Sequence, residues 1–307
     1  MPHPADAATF EPPHRLVRAL GETYGKDVAG GWLGRLPEAA PEALAARGLE
    51  PERVVEPGGR SSLVVLVRRR PGGEPAVLKL APPFAGAEAE RDALAHWDGW
   101  GAVRLLDASE GPGLLLERLQ PDVSLRSLPE AKALLEAAGT VRRLWVEPPA
   151  GHRFASVADR TAREAAAMAP HRTDEVAGPL VAAALEAREA LVADAPEALL
   201  LHGSFRQGKV LAGERAPWLA VGPDPVVGER AYDLARLARD RVEDLVAATG
   251  GPAAARRRVN KLADSLDVDR ERLRGWTLFR AVESATRALA AGRERDAELL
   301  LEFAGWL

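Results

Sequence analysis

The chain of 307 residues has no cysteine. That removes disulfide frameworks, cysteine nucleophiles and thiolate metal sites together. No apolar run approaches the ~20 residues that a membrane-spanning helix needs. The opening MPHPADAATFEPPH has no basic segment followed by an apolar one, so a secretory signal is not expected. A charge excess is missing too: 41 Lys and Arg face 45 Asp and Glu, a net charge of -4. That excludes the positive footprint of a general nucleic-acid binder. Gly and Pro, at 28 and 24, stay below the level of low-complexity disorder. What remains is a cytoplasmic globular protein without a membrane or nucleic-acid partner, and its 47% apolar residues supply a core. Its basic residues are overwhelmingly Arg, so each lysine stands out.

The first fifty residues read as helical, in stretches opened by Pro13 and running from Leu36 to Ala46, with Pro and Gly between and after them. After Gly48 the pattern changes. Leu63–Val67 is a β-branched run preceded by the turn-forming Glu56–Arg60. Ala76–Leu80 follows the turn Pro71-Gly72-Gly73, and the two runs read as an antiparallel hairpin. A helix is expected from Ala85 to Trp97, then strands at Ala102–Leu106 and Leu114–Glu117 around a turn at Gly111-Pro112-Gly113. Beyond Leu119 helices dominate, at about 127–145, 156–168, 174–194, 229–248, 253–265, 270–291 and 294–306. Short apolar runs at Leu199–Leu201 and Trp218–Val221 interrupt them. The expected fold is α+β in two lobes. Residues 1–119 form a small β-rich N-lobe on the nucleotide side, and 120–307 a larger helical C-lobe.

The chemistry is concentrated in two segments. One is His202-Gly203-Ser204-Phe205-Arg206-Gln207-Gly208-Lys209, directly after the run Leu199–Leu201. The other is Val221-Gly222-Pro223-Asp224-Pro225, followed by Glu229-Arg230-Ala231-Tyr232-Asp233. Together with Pro75–Leu80, Trp97-Asp98-Gly99, Gly101–Leu106 and Leu114–Leu119, these segments resemble, in order, the aminoglycoside 6-phosphotransferase and hydroxyurea phosphotransferase family. Its members are kinase-fold enzymes that phosphorylate streptomycin-like substrates with Mg-ATP. A two-lobed protein-kinase-like fold follows from that resemblance.

The resemblance also implies roles. Phosphoryl transfer needs a strand lysine paired with a helix glutamate, metal ligands on the phosphates and a carboxylate that takes the acceptor proton. Lys79 matches the lysine, with Glu90 the first choice of partner and Glu88 the second. The phosphate loop falls at Gly58–Ser62, with Ser61 and Ser62 as its hydroxyls. Taken alone, that segment reads as a hairpin turn, because it lacks the G-x-G-x-x-G pattern. The adenine hinge falls at Glu117 to Leu119, and the acceptor pocket near Asp233 and around Glu283 to Arg287.

The rest of the machinery is replaced. The family's loop reads His-Gly-Asp with an Asn five residues after the Asp; here those positions are Ser204 and Lys209. The family's second metal ligand, an Asp before Pro, is Gly222. Loss of a general base alone costs ~10²–10⁴-fold, and metal stabilisation is worth several kcal/mol more. A pseudokinase that binds a nucleotide, a small molecule or a partner is therefore expected, with no metal ligands and with ATP without magnesium as the candidate cofactor. Two readings of Lys209 stay open: an ammonium standing in for the metal, or a solvent-facing residue beside Arg206 in a dead pocket. Asp224 offers a rescue ligand, which Pro223 and Pro225 oppose by fixing the backbone.

Other residues read as structural. His202 is expected to order the loop through hydrogen bonds, and Asp233 to anchor it. Trp97, Trp145, Trp218 and Trp276 are expected in the core, Trp100 partly exposed, and Arg256–Arg258 on a solvated helix face. Gly203-Ser204 lacks the G-x-S-x-G spacing of a hydrolase. Three functions compete: a binding module for a nucleotide, an aminoglycoside-like molecule or a protein; an active streptomycin-type phosphotransferase conferring antibiotic resistance; and a structural partner of an active relative.

Overall fold

The structure, a computed structural model, describes residues 10–107 and 112–307. The first nine residues, and Gly111 of the expected turn, lie outside that range. The chain divides into two compact units. One runs to Asp122 and takes back Ala212–Leu219; the other comprises Val123–Leu211 and Ala220–Leu307.

In the first unit, helices α1 (His14–Tyr24), α2 (Lys26–Leu33) and α3 (Leu36–Ala46) precede strands β1 (Leu49–Val54), β2 (Leu63–Arg69) and β3 (Pro75–Leu80). Helix α4 (Ala87–Trp97) follows, then β4 (Leu105–Asp107) and β5 (Leu114–Glu117). The strands form one antiparallel sheet in the order β1-β2-β3-β5-β4. Leu63, Val65 and Val67 of β2, with Leu78 and Leu80 of β3, bury against Leu16, Leu20, Leu36 and Leu44 of the helices. The period of two sends these alternate side chains to one face of the sheet.

Three details differ from the sequence reading. Strand β1 occupies residues just after Gly48 that carry no alternating pattern, because its exposed polar side chains are held in place by pairing with β2. Helix α2 fills the gap between the two expected helices. Strand β4 begins at Leu105, three residues later than expected, after Gly99 and Gly101, both at positive φ.

Strands β6 (Gln120–Ser124), β8 (Val210–Ala212) and β9 (Trp218–Ala220) form a three-stranded sheet ordered β6-β8-β9. Between β6 and β8 lie α5 (Glu130–Val141), α6 (Val157–Met168), α7 (Gly178–Ala193) and β7 (Leu199–Leu201). After β9 come β10 (Val226–Gly228), α8 (Arg230–Ala238), α9 (Val242–Ala247), α10 (Gly251–Leu266), α11 (Arg270–Ala290) and α12 (Glu294–Ala304). β7 pairs antiparallel with β10, so the loops that follow β7 and β9 are brought side by side. Trp276 and Tyr232 meet edge to face, centroids 5.2 Å apart, in the core between α8 and α11.

The helix expected over 229–248 is two helices. Arg241 sits at φ 54° between them, and its guanidinium donates to Gln207 Oε1 and to the carbonyls of Arg126 and Leu128. Arg258 is buried rather than solvated. It shares a face of α10 with Ala255, Val259 and Leu262, pairs with Glu130 and donates to the Ala238 carbonyl. Trp97 and Trp276 are buried and Trp100 is exposed, while Trp145 and Trp218 are only half-buried. Trp218 lies on the edge strand β9, and Trp145 turns its indole N–H toward Asp233. No helix among the described residues is long and apolar enough to cross a membrane.

Candidate functional site

Leu78 and Leu80 face the α1–α3 core, so strand alternation puts Lys79 on the opposite face of the sheet. Helix α4 delivers Glu90 to that face, and the Lys79 ammonium donates to Glu90 Oε2. The two residues are 8% and 5% exposed, so the pair is dry and its attraction little screened. Glu90 Oε1 has no partner among the described residues. Glu88 lies on the exposed side of α4. The Gly58–Ser62 segment joins β1 to β2, with Ser62 buried and Ser61 exposed. Glu117 ends β5, and its carboxylate is committed to the Arg104 N–H at 2.7 Å and to the Arg215 guanidinium at 2.7 Å. Leu119 is buried just beyond it.

In the second unit, the loop after β7 is built on Asp233. One carboxylate oxygen accepts the His202 N–H at 3.0 Å and the other the Gly203 N–H at 2.9 Å. Trp145 Nε1 adds a third donor at 3.3 Å. Burial raises the Asp233 pKa, and these donors work against it. Gly203 has φ +74°, and a Cβ there would lie 1.9 Å from the Asp224 carbonyl oxygen, so only glycine fits. His202 is fully buried: its Nδ1 accepts from the Ser204 N–H at 3.3 Å, and its Nε2 stands 3.2 Å from the Val221 carbonyl. That geometry is the neutral tautomer protonated on Nε2. Burial, then the nearby Lys209 ammonium, hold its pKa well below 6.5.

The three replaced positions meet at one point. The Lys209 ammonium donates to the Ser204 hydroxyl and, at 2.6 Å, to the Gly222 carbonyl. Lys209 is half-buried and turned inward, so it does not match the solvent-facing alternative. Asp224 is also spoken for: Arg160 of α6 grips its carboxylate with contacts of 2.7 and 2.9 Å. Burial works to raise the Asp224 pKa, but the Arg160 charge outweighs it and keeps the carboxyl ionised below its usual range. A hydroxyl, an ammonium, a glycine and an arginine-bound carboxylate are not a donor set for Mg²⁺, which binds through carboxylates and waters. No group of acidic, His or Cys side chains suited to a metal occurs among the described residues.

Residues that hold this loop went unnoticed in the sequence. Arg160 grips Asp224, Arg280 of α11 donates to the Gly203 carbonyl at 2.9 Å, and Asp240 accepts the Gln207 N–H at 2.7 Å. Each contact joins residues 33 to 77 apart. No spacing rule signals them.

Residues 47–292 match the family described as aminoglycoside/hydroxyurea antibiotic resistance kinase. A streptomycin 6-kinase of Streptomyces griseus is 36% identical over 277 residues, 86% of this chain and 88% of its own length. A hydroxyurea phosphotransferase of Kitasatospora aureofaciens is 36% identical over 321 residues, 97% of this chain and 88% of its own length. Among solved structures, the aminoglycoside phosphotransferase APH(4)-Ia superposes with a TM-score of 0.60 at 19% identity, covering 87% of this chain and 96% of that one. That likeness carries the fold, which is the protein-kinase-like α+β fold of these phosphotransferases. With the profile spanning most of the chain and relatives above 30% identity along nearly all of it, the chain belongs to the aminoglycoside/hydroxyurea antibiotic resistance kinase family.

Proposed function

We propose that this member of the family is a pseudokinase that binds ATP without magnesium. The observation that carries the reading is the Lys209 ammonium seated on the Ser204 hydroxyl and the Gly222 carbonyl. The three substitutions are mutually consistent: removal of two metal ligands and the proton acceptor takes away negative charge, and one fixed positive charge takes the metal's place. An ammonium is a point charge suited to phosphate oxygens. Lys79, held by Glu90, is the lysine that the family resemblance assigns to the phosphates. A serine hydroxyl that accepts a hydrogen bond from an ammonium is a poor proton acceptor at neutral pH, so transfer to an alcohol falls toward background.

A second reading has support of its own. Proteins named streptomycin 6-kinase and hydroxyurea phosphotransferase cover nearly the whole chain, and the Lys79–Glu90 pair is intact. These favour an active ATP-dependent phosphotransferase of a streptomycin-like aminoglycoside. Calorimetry of ATP binding, with magnesium and again with excess chelator, separates the two. Binding that persists in chelator, with no phosphate transferred to streptomycin, is the expected result. Magnesium-dependent binding with transfer that is lost in Lys79→Ala overturns it. If neither condition gives binding, the nucleotide reading fails and a protein partner becomes the next candidate.

A further inference from the structure

Three segments of the second unit enclose a cleft of about 600 Å³. Arg142, Trp145 and Glu147 come from the segment after α5, Pro196 to Leu199 from the entry to β7, and Arg230 from the first residue of α8. The walls are tied to one another. The Leu200 N–H donates to the Val146 carbonyl at 2.8 Å. Glu197 accepts the Arg230 backbone N–H at 3.1 Å and its guanidinium at 2.7 Å, and that guanidinium lies 5.8 Å from the centroid of the Trp145 ring. A preformed cleft of this size suits a small molecule.

Most of the charge in the cleft is already matched. Glu197 and Asp267 answer Arg230, which also donates to the Leu266 carbonyl at 3.2 Å. Glu147 has an interaction of its own. The Arg142 side chain lines the cleft, is exposed, and has neither an ion pair nor a hydrogen bond among the described residues. Arg230 holds the cation's place against the indole, so a further cation there meets two guanidinium charges. An anion meets the one that is unmatched. Half-buried Trp145 supplies ring surface in the same cleft, and Pro196 and Leu199 add apolar contact.

Trp145 also reaches the loop after β7. Its Nε1–H donates at 3.3 Å to Asp233 Oδ2, the same oxygen that accepts the His202 N–H at 3.0 Å. The indole therefore belongs both to the cleft wall and to the anchor of His202. We propose that the cleft is a binding site for an aromatic carboxylate, and that its occupancy is felt at His202 through Trp145 and Asp233. The guanidinium fork of Arg142 takes the carboxylate. The ring of the ligand stacks on or against the indole. The site does not depend on whether ATP binds.

The test is calorimetric titration of the full chain with benzoate, beside acetate, which lacks the ring, and benzylamine, which carries the opposite charge. Benzoate is expected to bind, acetate more weakly, and benzylamine not at all. Arg142 lies on the surface, so Arg142→Gln should fold as the parent does and weaken benzoate about tenfold. Arg142→Lys should recover part of the binding, and saturating ATP should leave it unchanged. Hydrogen exchange reads the link to the loop. Benzoate should slow exchange at His202 several-fold while rates in α11 stay as they were. Trp145→Phe keeps an aromatic face but loses the N–H, so it should still bind benzoate, with no effect at His202. The site is overturned if benzoate gives no heat, if Arg142→Gln binds it as well as the parent, if benzylamine binds equally, or if ATP displaces it. Exchange at His202 that benzoate leaves unchanged in the parent, or slows equally in Trp145→Phe, overturns the link through Trp145.

Discussion

Lys209, at the end of the loop after β7, places its ammonium 2.6 Å from the carbonyl oxygen of Gly222, thirteen residues on in the loop after β9. That contact closes the place where the family's motif puts a cation between an Asn and an Asp. If Lys209 stands in for the metal, restoring the family's residues should restore the metal. The triple variant Ser204→Asp, Lys209→Asn, Gly222→Asp is expected to bind ATP only with magnesium. Lys209→Met alone should lose chelator-resistant binding by about tenfold or more, since a charge-assisted contact is worth roughly 1.5–3 kcal/mol. Gly222 has φ +60°, which Asp tolerates better than most residues, at a cost of about 1 kcal/mol. Calorimetry in the two conditions reads both effects. Chelator-resistant binding in the triple variant would sink the idea.

The Lys79–Glu90 pair is the other fixed point. Both partners are nearly solvent-free, so removing one leaves a buried charge without compensation. Glu90→Ala is expected to destabilise the chain by about 3–5 kcal/mol. The double change Lys79→Met, Glu90→Leu should cost much less, because apolar groups of similar size replace both charges. Urea unfolding of the two variants beside the parent gives the comparison. Equal losses for single and double changes would mean the pair is not coupled.

How much of this was legible in advance follows from which contacts are local. Leu63–Val67 and Ala76–Leu80 announce β2 and β3 because alternation and a glycine turn are encoded within twenty residues. The same alternation turns Lys79 away from the helices, and Glu90 falls on the helix that follows. The loop landmarks His202, Gly203 and Pro223 fix the register in which Ser204, Lys209 and Gly222 stand out. What escaped was tertiary. Strand β1 has little apolar pattern of its own and depends on β2 for its pairing. The break at Arg241 depends on carbonyls more than a hundred residues away. The inward turn of Lys209 depends on where β9 leaves the Gly222 carbonyl.

Asp233 carries the loop through two backbone donors on separate oxygens. Asp233→Asn would turn an NH₂ toward one of those N–H groups and leave a buried donor without an acceptor, at about 1–3 kcal/mol. The loop should loosen before the fold does. Hydrogen exchange at His202 and Gly203 is expected to speed up while protection in α11 persists. Uniform loss of protection would show that Asp233 supports the whole unit rather than this loop.

His202, fully buried, and Glu164, half-buried on α6, make stability depend on pH with opposite signs. The His202 pKa is depressed in the folded chain, so unfolding takes up a proton once the pH drops below about 6.5. Its contribution is complete above that value and is lost as pH falls, by at most about 1.4 kcal/mol per pH unit. Glu164 is the reverse: burial, then the neighbouring Glu283, raise its pKa from 4.5 to about 6. The folded state then holds a proton that the unfolded chain has released, so this contribution is present below pH 4.5 and lost as pH rises through 6. Between those limits the two slopes oppose each other, and the parent chain should show a flat profile. His202→Gln is expected to become more stable as pH falls from 6 to 5, and Glu164→Gln less stable over the same interval. Glu164→Gln should also gain about 1–2 kcal/mol at pH 7, where the parent pays to keep that carboxylate charged. Unfolding midpoints of the three chains at half-unit steps from pH 4.5 to 7.5 decide it; parallel curves would mean that neither group titrates as its surroundings require.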